Sequence, residues 1–140
     1  LLDKKNRYVG AKIRTGSFTS TDIELQSVEM DGSLTQTPEF PYNWMYDGSR
    51  PQMPGFEMEI TCKSLFLIFK DSGEMDVGKA DVFVNDVYCM TADPHKNNWL
   101  HCNAVLLFWE TESRSHKVRI TVTEEDQNKK FTILGFGYTI

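Results

Sequence analysis

Apolar and polar residues alternate with a period of two along most of this chain. In HKVRITVTE, Val118, Ile120 and Val122 alternate with Lys117, Arg119, Thr121 and Thr123. Successive side chains of an extended segment point to opposite faces, so this segment reads as a strand with one buried side. The same pattern places Ala80, Val82 and Val84 of GKADVFVND on one face, and likewise Phe56, Met58 and Ile60 of GFEMEIT. SLFLIFK is apolar on both faces over Leu65–Phe69, as expected of a strand covered on both sides. NAVLLFWE and KKFTILGFGYTI read as further strands, and near the start Val9, Ala11 and Ile13 alternate. In TDIELQSVEM the apolar phase changes between Leu25 and Val28, which a β-bulge near Gln26–Ser27 would explain.

No window holds a long amphipathic helix, and DPHKNNW admits at most one helical turn. About eight short strands separated by turn residues predict an all-β fold, an antiparallel sandwich or barrel. The turn-rich stretches 31–55 and 89–103 are the two long connections, and long ordered loops on a β scaffold are where function concentrates.

The 140 residues suit one domain. Fifteen Lys and Arg against 20 Asp and Glu give a net charge of −5, which disfavours nucleic-acid partners and anionic membrane surfaces. No apolar run approaches the roughly 20 residues of a membrane span. LLDKKNRYVG is too short and polar for a signal peptide, and residues 1–6 read as a linker remnant. Cys62, Cys89 and Cys102 are an odd set without tight spacing, so they form no disulfide framework beyond one pair at most.

Catalytic signatures are missing. There is no G-x-S-x-G and no G-D-S, and Gly16-Ser17-Phe18 and Asp71-Ser72-Gly73 carry no elbow pattern. His116 heads an amphipathic strand and is expected to be structural. Cys89, His95, His101 and Cys102 have residue types that suit zinc but not its usual spacing, so a metal site is not expected there. The acidic turn Asp71–Asp76 has the oxygen ligands of a structural calcium site; the plain alternative is a solvated turn. Glu57 and Glu59 share a face, as alternate residues of any strand do, and read as a solvated outer face rather than a glycosidase pair.

The aromatics are the best functional material. Tyr42, Trp44, Tyr46, Phe83, Tyr88, Trp99 and Trp109 are spread over two loops and several strands. Tyr and Trp offer a flat apolar body with a polar handle, a combination that holds sugar rings. The segment FPYNWMYDGSRP (40–51) concentrates them. Phe40 and Trp44 sit between prolines and are expected to anchor it. Tyr42 and Tyr46, with Asp47 and Arg50, are left to touch a ligand or a neighbouring domain. Trp44 also stands among the candidate sugar contacts, together with Asn98 and Trp99 of the second loop. Trp109, inside VLLFWE, is expected in the core.

FPYNWMYDG, KSLFLIFKDS, VGKADVFVND, NNW, HKVRITV and KKFTILGFGYT together resemble the β-sandwich domain that accompanies the catalytic domain of bacterial SGNH/GDSL-type esterases. The resemblance runs from about Gly16 to Tyr138. It implies a jelly-roll sandwich similar to carbohydrate-binding modules, without catalytic residues or cofactor of its own. Its partner would be a carbohydrate or the hydrolase domain of the same polypeptide, and residues 1–6 would be the tail of the linker from that domain. The location would be secreted or cell-surface if the parent acts on polymeric glycans, and cytoplasmic if it acts on imported oligosaccharides. One departure is local. Where such domains close a hairpin with Asp-Gly, this chain has Asn85-Asp86-Val87, which still permits a type I′ turn.

Overall fold

The computed structural model describes residues 12–14, 23–24, 44–48, 55–97 and 102–140 of the chain. Among the described residues eight antiparallel strands form one sheet: β1 Lys12–Arg14, β2 Ile23–Glu24, β3 Trp44–Asp47, β4 Phe56–Lys70, β5 Ala80–Val84, β6 Val87–Ala92, β7 Cys102–Val122 and β8 Lys130–Thr139. A 3-10 turn, Glu124–Asp126, links β7 to β8. The main path runs β1-β8-β4-β7-β5-β6, with β2 beside β4 and β3 beside β8. The bulge expected near Gln26–Ser27 and the linker at residues 1–6 lie outside the described residues.

The β4–β7 pair is the spine of the sheet. GFEMEIT and SLFLIFK, which read as two strands, are one continuous β4; NAVLLFWE and HKVRITV likewise merge into β7. The reason lies in two facing irregularities. Cys62 pairs with Arg114 and Ser64 with Trp109, so Glu110, Thr111, Glu112 and Ser113 stand against Lys63 alone. A bulge lets a strand continue while its side chains change face. The core residues of β4 are accordingly Met58, Ile60 and Cys62 before the bulge, then Leu65, Leu67 and Phe69 after it. A phase change that reads as a strand end in sequence is therefore a corner in a longer strand. In β8 the same device acts at Leu134, which is inserted between Ile133 and Gly135 and joins a small second cluster with Ile68.

Past the corner β4 carries β8 on its free edge, through Ser64–Phe69; on the other side of the corner β7 carries β5, through Val118–Val122. Both halves bury into one core, with Trp44, Leu67, Val82, Val118, Ile133 and Phe136 among its members. Burying such side chains contributes roughly 1.5–3 kcal/mol each relative to exposure. The three cysteines are free thiols.

The hairpin between β5 and β6 has a two-residue tip. Asn85 and Asp86 both have positive φ, 51° and 64°, the signature of a type I′ turn. Asn85 is also stapled to β7: its N–H donates to Lys117 O at 2.8 Å, and its Oδ1 accepts from Lys117 N–H at 3.0 Å. Aspartate tolerates the left-handed region but does not prefer it as glycine does. Asp86→Gly is expected to raise stability by about 0.5–1 kcal/mol. Thermal unfolding checks this; a lowered melting temperature would contradict the turn geometry.

Candidate functional site

The aromatic segment 40–51 is only partly loop, because Trp44–Asp47 pairs with Lys130–Ile133 of β8 as β3. Trp44 is 3 % exposed, with its ring 5.4 Å from that of Phe56 and 6.1 Å from that of Phe136. Its indole is packed inside the core, so it anchors the segment and offers no face to a sugar. That removes Trp44 from the candidate ligand contacts. Tyr46 is half-buried, and its hydroxyl donates to Gln127 O at 3.0 Å. Asp47, half-buried, stands opposite Lys130 in register. Tyr42, Arg50, Asn98 and Trp99 lie outside the described residues, as do Phe40 and His101.

The expected structural role of His116 fits its surroundings. Its side chain is buried against Phe108, with ring centroids 4.2 Å apart. The Asn85 amide nitrogen lies 2.9 Å from Nδ1. Because Asn85 Oδ1 already accepts from Lys117, its amide N–H₂ faces the ring, so Nδ1 is the acceptor and the proton sits on Nε2. Nε2 is 3.2 Å from Glu110 Oε1, within ion-pair distance but without hydrogen-bond geometry. His95 is engaged by Val77 O at 2.7 Å. Neither described histidine has a serine as its hydrogen-bond partner, and Ser115 donates to Glu59 at 2.7 Å.

The Cys89 thiol contacts Leu107 O at 3.4 Å, and burial pushes its pKa up, away from the thiolate a metal would require. In the turn after β4, Asp71 accepts from Asn103 while Asp76 faces Lys130. Among the described residues no three His, Cys, Asp or Glu side chains are grouped to hold a metal ion.

Two surfaces carry exposed aromatic area. On one, Trp109 is 47 % and Leu106 42 % exposed, against the expectation that Trp109 is core. The corner explains the difference, since VLLFWE is apolar throughout and gives no sign of which face each residue takes. On the other, Tyr88 is 57 % exposed beside Phe83 on the outer face of the β5–β6 hairpin.

No family model and no curated protein matches the sequence. Solved structures do match the fold. The chain is similar to a two-domain esterase active on acetylated mannans, co-crystallised with mannopentaose, at TM-score 0.73 and 14 % identity, covering 96 % of this chain and 38 % of that one. It is also similar to an acetyl xylan esterase from the rumen bacterium Butyrivibrio proteoclasticus, at TM-score 0.58 and 15 % identity, covering 91 % and 32 %. A family two carbohydrate esterase from Cellvibrio japonicus matches at TM-score 0.59 and 14 % identity, covering 92 % and 33 %. The chain thus spans about a third of the length of each of these carbohydrate esterases.

Proposed function

We propose that this chain is the non-catalytic β domain of a carbohydrate esterase of the SGNH/GDSL type, and that it contacts the glycan its parent deacylates. The observation that carries this reading is the near-complete overlay of the chain on one part of a two-domain esterase active on acetylated mannans. The jelly-roll topology of carbohydrate-binding modules is part of the same reading. Both described histidines are engaged within the domain, His116 by the Asn85 amide and His95 by Val77 O. Exposed aromatic rings on a rigid sheet fit sugar contact.

Affinity electrophoresis tests the reading. Migration of the chain is expected to slow in gels containing soluble mannan or xylan and to stay unchanged in dextran. Equal mobility in every gel would refute glycan contact.

A second reading has its own support. Trp109 and Leu106 stand exposed on the outer face of β7, and contiguous apolar surface marks interaction sites. On this reading the domain packs against its hydrolase domain and shapes the active-site entrance, with no ligand of its own. It predicts equal mobility of the wild-type chain in every gel, together with reduced activity of the parent enzyme in Trp109→Ala.

A further inference from the structure

We propose that the outer face of the β5–β6 hairpin is a binding platform for a neutral saccharide ring, with Tyr88 as the stacking side chain. The inference rests on the accessory-domain reading and moves the contact away from the two long loops.

The register assembles the face. Phe83 pairs with Tyr88 and Asp81 with Thr91 across the hairpin, and Arg119 of β7 pairs with Phe83. Their neighbours Ala80 and Val82 point into the core, so these five residues point outward. Tyr88 and Phe83 form a T-shaped pair, with ring centroids 6.0 Å apart and planes at 75°. The Arg119 guanidinium lies 4.2 Å from the Phe83 centroid, a cation–π contact that holds the second ring in place.

The polar atoms form a directed chain. Thr91 donates to Asp81 Oδ1 at 2.6 Å, so its single proton is committed. The 2.8 Å contact between Tyr88 and Thr91 must then run from the tyrosine hydroxyl to the threonine oxygen. Tyr88 therefore keeps its phenolic oxygen as an acceptor, and its ring is held by a hydrogen bond at one end and by its contact with Phe83. Beneath it, Asn85 ties the hairpin tip to Lys117 of β7. A platform fixed before the ligand arrives loses little side-chain freedom on binding.

The chemistry selects the ligand class. An exposed aromatic face takes the apolar C–H side of a pyranose, while the acceptors at its edge take hydroxyl protons. Asp81, in a chain of net charge −5, disfavours a uronic acid or other polyanion. Arg119 on Phe83 disfavours a cationic ring.

Calorimetric titration with mannopentaose and a xylo-oligosaccharide tests the platform, using wild type, Tyr88→Ala and Tyr88→Phe. Tyr88→Ala is expected to weaken binding by roughly tenfold or more, as loss of a central aromatic contact does. Tyr88→Phe keeps the ring and is expected to stay within about threefold of wild type. The Tyr88 ring protons of wild type are expected to shift in NMR spectra on adding saccharide, a readout independent of how any variant folds. Binding that is unchanged in Tyr88→Ala, or a ring signal that does not move while heat is released, overturns the platform and leaves the accessory-domain reading standing. Absence of any binding by wild type overturns both the platform and glycan contact by this domain.

Discussion

Replacing Phe136 by alanine is expected to remove about 3–5 kcal/mol of stability, the range for a fully buried aromatic. Phe136 is 0 % exposed. Its ring stacks on Phe56 at 5.6 Å and 24°, and lies 6.1 Å from Trp44. Trp44 and Phe56 are also in contact, tilted at 60° with centroids 5.4 Å apart, so the three rings form a closed cluster joining β3, β4 and β8. Truncation leaves a cavity between two rigid rings that cannot collapse around a methyl group. A domain of ordinary stability, roughly 5–15 kcal/mol, would lose about a fifth or more of it. Urea denaturation measures the loss. A change below about 1 kcal/mol would show that the cluster is not the load it is taken to be.

Gly48→Ala is expected to cost about 2–3 kcal/mol, near the upper end for an overpacked site. A Cβ at position 48 would meet Gln127 O and come within 2.7 Å of Asn128 C and Cα, all of them backbone atoms. The 123–130 connection cannot yield easily. Asp126 N–H bonds Thr123 O at 3.0 Å, Lys129 N–H bonds Asp126 O at 2.8 Å, and Gly48 N–H itself bonds Lys129 O at 3.0 Å. The Asp126 carboxylate accepts from Lys79 N–H at 2.9 Å, and this bond holds its pKa below the usual carboxylate range. The clash would push β3 away from β8 and loosen the anchorage of Trp44. Thermal unfolding of Gly48→Ala checks the claim; an unchanged melting temperature would mean that the segment shifts without loss.

The strands were legible wherever one face is wet and the other dry. Val118, Ile120 and Val122 alternate cleanly with polar neighbours, and all three line the core or pack on it. The hairpin tip was legible too, because few residue pairs accept positive φ twice in succession. Continuity was not. A bulge and a strand end look alike in a period-two pattern, so β4 and β7 each read as two strands. Trp109 was misplaced for the same reason, since VLLFWE is apolar on both faces and only the irregular register at Glu110–Ser113 turns it outward.

The candidate site was legible as residue types and not as a place. Phe83 and Tyr88 stand out as aromatics, but the sequence pattern does not show that the Tyr88–Thr91–Asp81 chain orients one of them. Trp44 has the same composition cue and the opposite fate. What separates the two is position: Trp44 sits across from Ile133 and turns inward against Phe136, while Tyr88 lies on an outer strand of the sheet and faces out. Aromatic content locates candidates, and strand register decides between core and surface.

The claim that this chain meets the carbohydrate is tested most directly by its own affinity for oligosaccharides. Calorimetric titration with mannopentaose and xylo-oligosaccharides is expected to give saturable binding in the range of about 0.1–1 mM, roughly −4 to −5.5 kcal/mol. Flat titrations with both families of oligosaccharide would contradict it and leave the domain as a packing partner of its hydrolase.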